Sequence, residues 1–148
     1  MNFLDILMQW VHIGSVAIAV GGMFTLRFVG CPAIKSVFPA DEDARKRLMQ
    51  AIVRRFKIVV HSSITLLLVS GAYLLWTMWP VLKASKAYRH AMETKILLAL
   101  VIFFLSIMLT ATRAEPNFFQ KGRDKWLTVN IVLALIVIGI ASFLRRMQ

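Results

Sequence analysis

Residues 58–82 read IVVHSSITLLLVSGAYLLWTMWPVL, 25 positions without an Asp, Glu, Lys or Arg. At 1.5 Å per residue a helix of that length covers about 37 Å, more than the roughly 30 Å of hydrocarbon in a bilayer. Residues 6–26, 96–112 and 126–144 are also free of charge, and each is close to the roughly 17–25 residues that a spanning helix needs. In lipid every backbone N–H and C=O must be bonded within its own segment, which leaves helix as the only conformation for stretches this long and apolar. The pattern predicts an all-α integral membrane protein, an antiparallel four-helix bundle, with spans over about 6–28, 57–80, 93–113 and 126–145.

Composition agrees. The 148 residues are 59% hydrophobic and 17% charged, with 18 Lys+Arg against 7 Asp+Glu and a mean hydropathy of +0.71. A soluble domain is about 45–50% apolar and about 25% charged, so a disordered chain, a nucleic-acid-binding tail and a coiled coil are all excluded. The basic residues lie between the apolar blocks, so no nucleic-acid partner is expected. Asp5 precedes the first stretch, no basic segment stands before it, and it is longer than a signal-peptide core, so it is expected to be a retained span. With no repeat or linker, residues 1–148 are read as one domain. The single Cys31 has no internal disulfide partner, and no CxxC or CxxCH motif offers a zinc or covalent haem site.

Counting basic residues on each side of the four spans gives the orientation. Six of the 18, Lys83, Lys86, Arg89, Lys95, Arg145 and Arg146, fall on the side of both termini and the second loop. The other 12 fall on the side of the first and third loops: Arg27, Lys35, Arg45, Lys46, Arg47, Arg54, Arg55, Lys57, Arg113, Lys121, Arg123 and Lys125. The positive-inside rule places the latter side in the cytoplasm and both termini outside, in a multi-pass protein of the inner (cytoplasmic) membrane. Within the first loop, Asp41-Glu42-Asp43 runs into Ala44-Arg45-Lys46-Arg47-Leu48-Met49. An acidic first turn before a basic amphipathic stretch predicts a helix over about 41–56 that continues into the second span, with Asp41 or its neighbour as cap. Basic residues just outside the bilayer also attract anionic lipid headgroups, by about 1 kcal/mol per charge.

Chemistry is sought among the ionisable side chains at membrane depth, where a polar group is costly. They are His12, His61, and Lys95 with Glu93 and His90 at the mouth of the third span. No GxSxG, HExxH, phosphate-binding loop or carboxylate pair occurs, so hydrolase and phosphoryl-transfer chemistry have no support. His12 shares a helix face with Ser15, Ala19 and Gly22, a strip that lets a flat group or another backbone approach closely. That strip fits plain helix packing or a histidine ligand to haem or metal. His61, in Val60-His61-Ser62-Ser63, suits an iron or copper ligand, or a side chain bonded to nearby Ser or backbone groups. His90 follows Tyr88-Arg89 and reads as interfacial. With Met8, Met78 and Met92 near the same surface, His12 and His90 make a thioether–imidazole set of the kind that Cu(I) accepts; eight methionines in a membrane chain also serve simply as packing.

With the middle of each charge-free stretch taken as the bilayer centre, His12 lies about 6 Å toward the outside, His61 about 13 Å toward the inside and His90 about 21 Å toward the outside. No two histidines are level. Lys95 is about 7 Å from the level of His12. A haem between them would use His12 as iron ligand, with Lys95 and Arg89 meeting its propionates near the water interface.

The run Trp10-Val11-His12 through Gly21-Gly22-Met23-Phe24 and Arg27 to Pro32, then Arg54-Arg55-Phe56 leading to Ser70-Gly71-Ala72, then Glu93-Thr94-Lys95-Ile96-Leu97-Leu98, resembles the copper resistance protein D (CopD)-like membrane domain. It is also similar to the protoporphyrinogen oxidases of the HemJ type. The likeness covers three of the four spans. It implies haem b and oxidation of protoporphyrinogen for a HemJ-like protein, with His12 and Lys95 at the positions of that family's first-span histidine and third-span lysine, or copper uptake and tolerance for a CopD-like one. The HemJ pattern has a second histidine just before the third-span lysine, where this chain has Glu93 with His90 displaced upstream. His61 matches neither relative.

These observations together predict a haem b-binding membrane protein in electron transfer with quinone or a redox protein. His12, His61 and His90 are the candidate iron ligands, and Arg89 and Lys95 the partners of the cofactor's carboxylates. Three alternatives stand beside it: a HemJ-like protoporphyrinogen IX oxidase, a CopD-like copper transport or tolerance protein, and a cofactor-free structural subunit of a membrane complex. The lipid bilayer is the expected surrounding, and a homo-oligomer is allowed.

Overall fold

The structure, a computed structural model, describes residues 2–111 and 122–146. They form six helices, α1 (Phe3–Thr25), α2 (Cys31–Val37), α3 (Glu42–Thr77), α4 (Trp79–Ala84), α5 (Lys86–Thr110) and α6 (Arg123–Arg146), and a π-helical stretch, Leu26–Gly30, joins α1 to α2. Arg113 and Lys121 of the third loop, and the end of the predicted third span, lie outside the described residues. Four helical stretches are long and apolar enough to cross a membrane: Phe3–Val37, Glu42–Thr77, Lys86–Thr110 and Arg123–Arg146. They pack as an antiparallel four-helix bundle, α1 against α3, α3 against α5, α5 against α6, and α6 back against α1 through the thinnest of the four seams. α1 and α5 therefore face each other diagonally. One end of the bundle carries the start of α1, α4 and the end of α6 and is called here the terminal end; the other carries the α2–α3 turn and is called the hairpin end.

The first helix continues past residue 28, where the sequence ended the span. Pro32 lacks an N–H and would crowd the carbonyl one turn before it in an unbroken α-helix. The chain accommodates the ring by widening one turn, so the Cys31 N–H reaches Leu26 O, five residues back, and Pro32 sits in the first turn of α2, where a missing donor costs little. The predicted amphipathic stretch and the second span form a single 36-residue helix, α3, with the Asp41 carboxylate accepting from the Ala44 N–H at 2.8 Å. Met49, Ile52 and Phe56 on its basic portion pack against the buried cluster Met23, Leu26, Leu109, Leu127 and Ile131 at the hairpin end. α3 stops at Thr77, and Pro80 falls in the first turn of the short α4. A second cluster, Leu82, Tyr88 and Leu144 with Leu75, Ala91, Met92 and Ile140 around it, closes the terminal end.

The small-residue strip of α1 faces inward. Ser15 is buried, Ala19 and Gly22 are half-buried, and the flat group that approaches is the ring of Phe56. A Cβ on Gly22 would stand 2.6 Å from Phe56 Cε2, whereas one on Gly14 or Gly21 would meet open space. Large apolar side chains such as Trp10, Ile18, Leu97, Leu135 and Phe143 point outward, as a bundle solvated by lipid requires.

Gly22→Val is therefore expected to lower thermal stability in detergent by the about 1–3 kcal/mol of an overpacked core, while Gly21→Ala and Gly14→Ala leave it unchanged or slightly raised. Melting curves of the three variants, followed by helical circular dichroism, check this contrast.

Candidate functional site

His12 projects from α1 onto α3. Its Nδ1 lies 3.0 Å from Ser70 Oγ, and its Cε1 stands 3.3 Å from where a Cβ on Gly71 would be. A larger residue at position 71 would displace the ring. Ser70 is fully buried, and its hydroxyl donates to Leu66 O at 2.6 Å. Its one proton is thus committed to its own helix, as is usual for Ser in such helices, so Ser70 Oγ accepts from an Nδ1–H of His12. The ring nitrogen left with a lone pair is Nε2. A hydrogen bond that fixes the tautomer and orientation of a ring whose other nitrogen is free is the arrangement found in histidine ligands. One turn toward the terminal end, the Tyr73 hydroxyl donates to Asp5 Oδ1 at 2.8 Å, and Asp5 Oδ2 accepts from the Asn2 N–H at 2.9 Å. The His12–Ser70 and Tyr73–Asp5 bonds join α1 to α3.

Lys95 reaches the same region from α5. Met23 touches Ser106, and each lies eleven residues along its helix from His12 and Lys95 respectively. Equal rises of about 16 Å bring His12 and Lys95 to one level, closer than the sequence estimate. Lys95 is half-buried, acts electrostatically on His12, and has no hydrogen bond or ion pair to any described residue. An unpaired ammonium at membrane depth is costly unless an anion or water meets it.

The other candidates stand elsewhere. His61 donates from Nδ1 to Lys57 O of its own helix at 2.8 Å; nine residues along α3 from Ser70, it is about 13 Å nearer the hairpin end than His12. His90 is exposed, with Nδ1 3.3 Å from Glu93 Oε2, and Arg89 Nε lies 3.8 Å from Glu93 Oε1. This cluster on Glu93 is about one turn beyond Lys95. The three histidines are therefore not brought together, and among the described residues no group of three or more His, Cys, Asp or Glu side chains is placed to share a metal ion. Met92, from the thioether set, packs into the cluster of Leu82, Tyr88 and Leu144.

Two polar groupings went unnoticed in the sequence. Asn130 of α6 is fully buried and donates from Nδ2 to Ser106 Oγ at 2.8 Å and to Met23 Sδ at 3.1 Å, tying three helices at one level. At the hairpin end Asp124 accepts from Lys35 at 2.8 Å, while Arg27 Nε donates to Thr128 Oγ1 at 3.0 Å. A search confined to charged and imidazole groups passes over Asn130, although an amide inside residues 126–144 is itself the signal.

As tests of the α1–α3 ties, Tyr73→Phe and Ser70→Ala are each expected to lower stability by about 1 kcal/mol, the usual worth of one such bond. Ser70→Ala alone should change the tautomer of His12, read from the ring 15N shifts. Comparison of the chain with known protein families, curated proteins and solved structures gives no match.

Proposed function

We propose that this chain is an integral membrane electron-transfer protein that binds haem b at the level of His12 and Lys95. The observation that carries this reading is the posture of His12, held by Ser70 and Gly71 with Nε2 free, level with a lysine that has no acidic partner among the described residues. Those residues fit one edge of a haem. His12 Nε2 would hold the iron, and Lys95, with Arg89 about two turns away on α5, would meet the propionates. The macrocycle would enter through the thinly packed seam between α1 and α6. Bound there, haem supplies one-electron exchange at a potential tuned by its ligand and burial. The chain provides a single histidine at this level, so this reading has one protein ligand per haem, and His61 and His90 are not part of it. The electron partner is a quinone or a redox protein, and the positive-inside rule puts the termini and the His12 end outside.

One observation favours a second reading, a cofactor-free structural subunit of a membrane complex. A cavity at the hairpin end, lined by Met23, Phe56, Thr110 and Arg123 among others, measures about 10 Å³, room for one water molecule and far below the roughly 300–1,000 Å³ that cofactor-sized ligands occupy.

The visible spectrum of the purified protein separates the two. Haem b gives a Soret band with sharp α and β bands on dithionite reduction, and His12→Ala is expected to abolish them. Lys95→Ala should keep the bands and weaken haem retention about tenfold, the worth of one charge-assisted bond. A protein expressed with ample haem that shows no Soret band contradicts the haem reading and supports the subunit.

A further inference from the structure

The register of the bundle gathers cations that the sequence scatters. Met23 touches both Ser106 and Asn130, which sets α1, α5 and α6 at one level. Val59 of α3 falls there too, being eleven residues from Ser70 as Met23 is from His12, which Ser70 holds. From that level Arg27 of α1 and Arg55 of α3 lie about 6 Å toward the hairpin end, and Arg54 of α3 and Lys125 of α6 about 7.5 Å. Four basic side chains from three helices thus form a collar at one depth. Arg54, Arg55 and Lys125 are exposed, and Arg27 is half-buried.

Little negative charge answers the collar. α3 has no Asp or Glu after Asp43, and Asp124, the acid at collar depth among the described residues, is engaged by Lys35 at 2.8 Å. None of the four collar cations is in an ion pair with a described residue. Toward the terminal end, Arg145 lies about 22 Å on the other side of the Met23 level. From the collar to Arg145 is therefore about 30 Å, the thickness of the hydrocarbon core of a bilayer. Of the described Asp, Glu, Lys and Arg residues only Lys57, Glu93 and Lys95 fall between, each within about one turn of an edge. The collar stands where the hydrocarbon gives way to headgroups.

We propose that Arg27, Arg54, Arg55 and Lys125 hold the phosphates of anionic phospholipids around the hairpin end. The surface about one turn further in carries exposed Phe24, Ile58, Val59 and Val129, which take the acyl chains. Phe24 and Phe28 stack with ring centroids 4.5 Å apart, and the Arg27 guanidinium stands 5.6 Å from the centroid of Phe28, so cation and apolar surface meet on one face. A phospholipid matches both halves of that face. A soluble polyanion matches only the cations, because the apolar half lies within the hydrocarbon. The negative lipid is preferred to a zwitterionic one because the choline of the latter offsets its own phosphate. Nothing in this inference depends on whether His12 carries haem.

Native mass spectrometry of the full-length protein in detergent, titrated with phosphatidylglycerol or with phosphatidylcholine of the same acyl chains, tests it. Phosphatidylglycerol is expected to bind at least tenfold more tightly. Arg54→Gln with Arg55→Gln should weaken it about 25-fold, fivefold for each charge removed beside an anionic lipid. Lys46→Gln with Arg47→Gln removes as much charge from the same helix about 11 Å further out, beyond the headgroups, and should change binding by less than twofold. Equal binding of the two lipids overturns the proposal, as does equal weakening by the two double variants, which would reflect overall charge and not depth. Displacement of the lipid by excess inorganic phosphate also overturns it, since the site would then be one for free phosphate. If the Arg54/Arg55 variant lacks normal helical circular dichroism, Lys125→Gln decides, with a fivefold loss expected and an unchanged affinity contradicting the collar.

Discussion

The hydrogen bond from His12 to Ser70 is the contact on which the arrangement of this bundle turns. Lipid is as apolar as the helix surfaces it surrounds, so hydrophobic burial does little to choose which membrane helices pair. Close packing of small residues and a few interhelical hydrogen bonds make that choice. α1 carries both: an imidazole and a carboxylate that reach Ser70 and Tyr73 of α3, and a glycine that receives the Phe56 ring. These three contacts are spread along the pair, so they set register as well as proximity. Once α1 and α3 are paired, the α3–α5 and α5–α6 packing brings Asn130 onto Met23 and Ser106 and closes the bundle.

That register gives the interior its functional character. The step of eleven residues shared by α1 and α5 brings His12 and Lys95 to one level, although the helices are diagonal and do not pack closely. The imidazole is held by one nitrogen and open at the other, and the ammonium at its level has no acid to neutralise it among the described residues. The bundle thus presents a nitrogen lone pair and a cation at the same depth. A cofactor with a metal and carboxylates answers to both, and that match carries the haem reading more than any single residue does.

The four spans and their antiparallel order were legible because freedom from charge over about 20 residues has one structural outcome in lipid. The cap at Asp41 was legible too, since an acidic cluster before a basic amphipathic run has few other uses. The run from α1 through the π-turn into α2 was not, because it depends on that widened turn absorbing Pro32. Depth was only partly legible. Taking the middle of each apolar stretch as a common centre ignores how the helices are set against one another, and this placed His12 and Lys95 about 7 Å apart in level where the contact of Met23 with Ser106 makes them level. Ser70 and Gly71 stood in the sequence as part of a loose resemblance, but their role as the seat of His12 needs two helices in contact. Asn130 was visible all along and carried no charge to draw attention to it.

Solid-state NMR of the protein in lipid bilayers, with labelled histidine, serine and lysine, tests the central claim most directly. The account predicts that His12 carries its proton on Nδ1, shows a cross-peak to Ser70 Cβ, has a bare Nε2, and lies within transfer range of the Lys95 side chain. A ring protonated at Nε2 with no contact to Ser70 would contradict it.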